Sequence, residues 1–251
     1  MNILLVNDDS IYAPGIITLA NVLKKEHRVF VIAPEQQMSG TSHSITFYGY
    51  LNYEKLDIIE GCECYILKGT PSDCTKFGID VILNGFRPDV VISGINKGYN
   101  IGTDILYSGT VNAALEGAIF QIKSIAVSQN YHCESFDFAA KFIRKNLTSL
   151  MDIIPEKDYV CLNVNIPSDK EEDIKGTQLV KVGVNRYADY YEYVDERGYA
   201  IQGNPISDLP NEEDTDVEAI KKKYITLSFV KTDFNDYKAY EKYKGFTLWN
   251  V

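Results

Sequence analysis

The sequence predicts an α/β domain built on a mostly parallel sheet, and three observations carry that expectation. Short unbroken apolar runs recur along the first two-thirds of the chain, as in strands buried on both faces: NILLV at 2–6, RVFVIA at 28–33, DVVIS at 89–93, SIAVS at 124–128 and YVCLNVN at 159–165. Stretches of helical spacing separate them. A strand, a helix and a second strand also fit within residues 1–33, which is a βαβ unit with parallel strands and a right-handed crossover.

Each element has a local reason. Pro14 stands where a first helix begins, and Ile16, Ile17, Leu19, Ala20 and Leu23 keep helical spacing up to Lys24. Ser72–Leu83 reads as a helix with Thr70 or Ser72 near its N-cap. Gly94–Tyr107, rich in Gly and Asn, reads as loop. Thr110–Gln121 is a helix with Ser108 or Thr110 placed to cap it. Ser135–Leu150 is an amphipathic helix, and Pro167 closes the strand before it.

After about residue 175 the composition shifts to Tyr, Asp and Glu. Alternating aromatic and charged residues around Glu196–Gly198 predict a hairpin, residues 212–218 a loop entering a short helix, and Tyr224–Val230 a strand. No repeat or linker intervenes. The division expected is therefore a core over 1–175 and an extension over 176–251 packed on it. The tyrosines of the extension either pack on a partner subunit or fill an apolar base with their hydroxyls in water.

Bulk properties narrow the function. The net charge of −10 argues against a nucleic-acid polymer or an anionic membrane as main partner, yet leaves room for a small phosphate ligand at a local cation or helix N-terminus. Cys62, Cys64, Cys74, Cys133 and Cys161 form no CxxC pair and read as reduced thiols. The N-terminus lacks the basic start and long apolar run of a signal peptide, and no apolar run approaches the roughly 20 residues that span a bilayer. The expected location is the cytoplasm.

In open parallel sheets ligands bind outside the carboxyl ends of the strands. Three polar clusters fall there: Asn7-Asp8-Asp9, the EQQMSGTSHS stretch from Glu35 to Ser44, and Ser93-Gly94-Ile95-Asn96. If their strands are neighbours, two carboxylates, an amide and a hydroxyl meet in one crevice. These are hard oxygen donors, suited to magnesium, manganese or calcium and poorly to zinc. A divalent ion also accounts for two adjacent carboxylates that otherwise repel; the alternative is that Asp8 and Asp9 only cap the next helix. The Gly-rich block Gly94–Gly117 leads through Ser108-Gly109-Thr110 into a helix N-terminus, an anion site. Metal and anion sites on one edge point to phosphoester chemistry. Of the three histidines, His27 reads as structural and His132 as exposed, while His43 lies on the site loop and is either a general acid or a local hydrogen-bonding group. No GxSxG elbow is present.

The segments ILLVNDDS, MSGTSHSIT, GTPSDC, SGINKGYNIGTDILYSGTVNAALEG and LNVNIP, in this order, resemble the survival protein SurE family of 5'/3'-nucleotidases. A weaker echo follows in DERGYAIQG and in Thr215-Asp216. The resemblance implies a three-layer α/β/α Rossmann-like core and one divalent ion per subunit. It implies phosphate release from nucleoside monophosphates and, for some members, short polyphosphate. It carries the ion ligands onto Asp8, Asp9, Ser39 and Asn96, and implies homodimers or homotetramers through the C-terminal arm. Joined to the reading of the Gly-rich block, it leaves Ser108, Gly109 and Thr110 to receive the phosphate, with Lys97 and Asn100 assisting. Either a water or Asp8 itself attacks phosphorus. The chain departs from the family in three places: Ser10 replaces the glycine usual after the two aspartates, Lys97 stands where Arg is frequent, and YITLSFVKTDF lacks the usual Thr-Pro. Ser10 motivates an alternative, a catalytically degenerate nucleotide-binding scaffold. A nucleotide-sugar transferase would need a second Rossmann-like half, for which the extension is too short.

Overall fold

The computed structural model describes residues 1–156, 158–204, 206 and 210–247. Among them a sheet of nine strands runs in the order β3-β4-β2-β1-β5-β6-β7-β11-β8, with a separate hairpin, β9–β10. The strands are β1 (Asn2–Val6), β2 (Arg28–Pro34), β3 (Tyr53–Leu56), β4 (Glu63–Leu67), β5 (Val90–Lys97), β6 (Lys123–Gln129), β7 (Val160–Ile166), β8 (Thr177–Leu179), β9 (Tyr190–Asp195), β10 (Gly198–Gln202) and β11 (Ile225–Lys231). The helices are α1 (Pro14–Leu23), α2 (Pro71–Phe77), α3 (Gly109–Ile119), α4 (Asp137–Asp152), α5 (Asp216–Lys221) and α6 (Tyr237–Tyr243). The strands from β4 to β7 are parallel; β3 pairs antiparallel with β4, and β11 with β7.

The period of the strands builds the layers. In β1, Ile3 and Leu5 face one core with Ile16, Leu19 and Leu23 of α1 and Ile143 and Leu147 of α4, while Leu4 and Val6 face the other with Cys74 of α2 and Ala113 of α3. This is the α/β/α arrangement expected. Local signals start the helices where the sequence places them. Pro14 is the first residue of α1, Thr70 and Asp73 form a reciprocal capping box on α2, and the Ser108 hydroxyl accepts from Val111 N–H to cap α3.

The site depends on close backbone packing beneath it. A Cβ on Gly15 would lie 2.1 Å from the Ile95 carbonyl oxygen, so α1 can lie against the end of β5 only with glycine there. Gly15→Ala is expected to destabilise the protein by about 2–3 kcal/mol, read as a lower urea midpoint at unchanged m-value.

Several elements differ from the sequence expectation. β5 continues through Gly94–Lys97, with a register shift against β6 between Ser93 and Asn96, instead of ending at Ser93. Pairing with β6 overrides the weak strand preference of Gly and Asn. The second helix ends at Phe77 and passes into a π turn over Gly78–Ile82. β3, β4, β8 and α6 have no counterpart in that expectation. The expected hairpin is β9–β10, but β11 and β8 join the main sheet, so the extension supplies two of its strands. No helix among the described residues is long and apolar enough to cross a membrane.

Buried Asp216 fastens the extension to the core. Its carboxylate accepts from the backbone N–H groups of Gly102 (3.0 Å), Gly183 (2.8 Å) and Val217 (2.8 Å). Asp104 accepts from Asn185 Nδ2 at 2.7 Å and from the Tyr187 hydroxyl at 2.9 Å. The turn that leads into α3 is thereby tied to residues 183–187.

Candidate active site

β2, β1 and β5 are consecutive in the sheet, so the loops after them meet at its carboxyl edge. Asp8 lies at the end of β1, 5% exposed, directly under the start of α3. The Thr110 hydroxyl donates to its Oδ1 at 2.5 Å. A Cβ on Gly109 would lie 2.9 Å from Asp8 Cβ and 3.1 Å from Oδ2, so glycine lets the helix N-terminus meet the carboxylate. Asp9 accepts from Gln37 Nε2 at 3.2 Å and from the Lys97 backbone N–H. Gln37 Nε2 also donates to Ser39 Oγ at 3.0 Å, linking the loop after β2 to the acidic pair, and Met38 N–H reaches the Asp8 carbonyl at 2.7 Å. Asn96 donates from Nδ2 to the Gly98 carbonyl at 2.9 Å, while its Oδ1 accepts no hydrogen bond among the described residues.

The expected residues are thus sorted by what they touch. Gly109 and Thr110 are in direct contact with Asp8, Gln37 links the neighbouring Asp9 to Ser39, and Asn96 bonds to Gly98 and to none of these. Thr110 spends its hydroxyl on Asp8, and the Ser108 hydroxyl accepts the cap bond. Lys97 brings its backbone to Asp9; its ammonium lies 5.1 Å over the Tyr131 ring. Asn100 is buried and turned toward β6 and β7. Its Nδ2 donates to Ser128 Oγ at 2.8 Å, its N–H to Asn165 Oδ1 at 2.8 Å, and its carbonyl accepts from the Asn163 and Asn165 amides. His132 is exposed, and His43 pairs with buried Glu116. Sequence reasoning missed Gln37, Glu116 and Lys76. Glu116 left one signal, the lone charge in the uncharged stretch around it, NAALEGA.

Burial dominates the electrostatics of the two aspartates. Burial, with a smaller contribution from the Asp9 charge, pushes the Asp8 pKa up to about 6 against the Thr110 hydrogen bond. Burial also raises the pKa of Asp9, while the Lys97 N–H and Gln37 lower it. Two further oxygens at the same strand ends, Asn7 Oδ1 and Ser93 Oγ, are buried without a hydrogen-bond partner among the described residues. No group of three or more His, Cys, Asp or Glu able to hold a metal lies among the described residues. The expected donors, two carboxylates, an amide and a hydroxyl, are of the chemistry that fits a hard divalent cation. A cavity of about 520 Å³ at the opposite edge is not part of this site. Its cations Arg87 and Lys123 are bonded to the backbone carbonyls of Phe120, Gln121 and Met151.

Ser10, next to the pair, has φ of 98°, the left-handed side where glycine is at ease. Its hydroxyl accepts from Tyr12 N–H at 3.3 Å and its carbonyl accepts from Asn7 Nδ2 at 2.8 Å. Ser10→Gly is expected to stabilise the protein by about 0.5–1 kcal/mol, the weak hydroxyl bond offsetting part of the relief. Thermal unfolding of the variant measures it.

Fold and strand-end residues together define a doubly wound α/β protein with an acidic, oxygen-rich sheet edge beside a capped helix N-terminus. The model of one family, survival protein SurE, matches residues 3–189. The 5'-nucleotidase SurE of Fervidobacterium nodosum is 45% identical over 235 residues, covering 91% of this chain and 90% of that protein. The 5'-nucleotidase SurE of Clostridium botulinum (strain Eklund 17B) is 39% identical over 251 residues, covering 97% and 98%. The crystal structure of SurE protein from Aquifex aeolicus superposes with a TM-score of 0.82 at 37% identity, covering 97% of this chain and 98% of that one. The chain belongs to the survival protein SurE family.

Proposed function

We propose that the protein is a divalent-metal-dependent phosphomonoesterase that releases phosphate from nucleoside 5'-monophosphates, and also from 3'-monophosphates and short polyphosphate. The observation that carries this reading is buried Asp8, with half-buried Asp9 beside it, held by Thr110 at the N-terminus of α3. Relatives named 5'-nucleotidase SurE, similar over nearly their whole length, support it.

In this reading Asp8, Asp9, Ser39 and Asn96 hold one ion, magnesium or manganese first and calcium next. When bound, the ion supplies positive charge to the phosphoryl oxygens as charge develops on them. The chain's own residues do the rest. Ser108 and the Gly109 N–H receive the phosphate at the start of α3, where the helix dipole favours an anion. Thr110 holds Asp8 at a fixed rotamer below it, so Thr110 serves the phosphate through the carboxylate it orients. Lys97 adds a positive charge at the rim, and Asn100 sets the path of the loop between β5 and α3 through its bonds to β6 and β7. The five free thiols fit a reducing cytoplasm. The hairpin β9–β10, which pairs only with itself among the described residues and exposes Tyr190, Tyr191, Tyr193 and Tyr199, is the surface proposed to join subunits into a dimer or tetramer.

The second reading, a nucleotide-binding scaffold without turnover, has Ser10 as its observation. A panel of 5'- and 3'-mononucleotides and polyphosphate, assayed for phosphate with magnesium, manganese, calcium or no metal, separates the two. Phosphate release with metal supports the enzyme. Nucleotide binding with no release at millimolar manganese supports the scaffold.

A further inference from the structure

Glu116 is a buried charge that the proposed chemistry does not use. It stands on α3 two turns after Gly109, its side chain 6% exposed. Oε2 lies 2.8 Å from His43 Nε2, and Oε1 accepts from Lys76 Nζ at 3.2 Å. Burial pushes its pKa up, but the hydrogen bonds from His43 and Lys76 outweigh that and hold it below the usual carboxylate range. Burying such a charge costs more than burying an apolar residue of the same size. What the charge provides is a fixed hold on its partner, and that partner belongs to the loop that carries Ser39.

The loop leaves β2 at Pro34 and touches Asp8 through Met38 N–H. It then crosses to Tyr107, whose carbonyl accepts from Ser42 N–H at 3.1 Å, and turns back over α2. There Thr70 Oγ1 donates to the Ser44 carbonyl at 2.6 Å, and Thr46 donates to Asp73 from its N–H and hydroxyl. Ser39 lies in a stretch with no ladder or helix of its own, where Gly40 (φ 73°) and Ser42 (φ 54°) are both left-handed. Its path is therefore set by anchors. Downstream of Ser39, the first side-chain anchor to another element is His43 on Glu116.

We propose that Glu116, acting through His43, is a positioning residue for the ion site: it fixes the loop so that Ser39 stands with Asp8 and Asp9. The inference rests on the ligand role proposed for Ser39. The test is calorimetric titration of Mn²⁺ into the metal-free full chain, with thermal unfolding measured on the same samples. Glu116→Gln and His43→Leu are expected to weaken Mn²⁺ binding about tenfold and to raise the Mn²⁺ needed for half-maximal phosphate release by the same factor. His43→Gln keeps an N–H donor toward Glu116 and is expected to stay within about twofold of wild type. Leu150→Val, a core change on α4, lowers the melting temperature and leaves Mn²⁺ affinity unchanged. His43 is partly exposed, so its variants carry the test if Glu116→Gln does not fold. Wild-type Mn²⁺ affinity in Glu116→Gln or His43→Leu overturns the proposal and leaves a purely structural ion pair. A wild-type protein that binds no Mn²⁺ overturns the proposed ion site, and this inference with it.

Discussion

Asp9→Asn lowers phosphate release from AMP and GMP on the order of a thousandfold and leaves the fold intact. The substitution keeps the shape of the side chain and an oxygen to accept from Gln37, so the link to Ser39 survives. What it removes is one of the two negative charges in a site with no other carboxylate donor proposed. The loss therefore falls on ion binding and on kcat, and circular dichroism and melting temperature do not fall. Because the two carboxylates repel when no ion is present, the metal-free variant melts at or above the wild-type temperature. Unchanged AMP and GMP hydrolysis in this variant would remove Asp9, and with it the acidic pair, from the mechanism.

The second large effect is on stability, and pH reveals it. Asp8 titrates near 6 in the folded chain, against an ordinary value of 3.8. Between those values the folded protein holds a proton that the unfolded chain has released, so stability from this group is highest at low pH and declines as pH rises through the window. Above pH 6 the penalty is complete, at most about 3 kcal/mol. Metal-free Asp8→Asn escapes it. Urea unfolding is expected to find this variant level with wild type near pH 4 and more stable by a few kcal/mol at pH 7.5. Millimolar Mn²⁺ reverses the order at pH 7.5, because the ion stabilises only the chain that binds it. A wild-type-to-variant difference that does not change with pH contradicts the assigned burial of Asp8.

Much of the fold is legible in the sequence itself. NILLV and RVFVIA around a Pro-started helix define β1, α1 and β2, and the same alternation places β5, β6 and β7. The acidic pair and the start of α3 stand out because strand ends and capped helix starts are written in adjacent residues. Features that depend on contacts across the chain were hidden. The strands β3 and β4 were missed because YEKL is almost wholly exposed and ECYIL is a short apolar run with no helix after β2 to frame it. The last residues of β5 look like loop because their strand character comes from the neighbouring β6. His43 and Glu116 lie 73 residues apart, and nothing local announces their pairing. Ser10 is the reverse case: its departure from the family glycine posed the right question, and its φ of 98° with a bond to Tyr12 gives both halves of the answer.

The most direct test is the initial rate of phosphate release from 5'-AMP by protein freed of metal with a chelator, before and after magnesium, manganese or calcium is returned in turn. The expected result is no release without metal, restoration by at least one of the three, and no comparable restoration in Asp9→Asn. Phosphate release at the full rate in the presence of chelator, or none under any metal despite nucleotide binding, would contradict it.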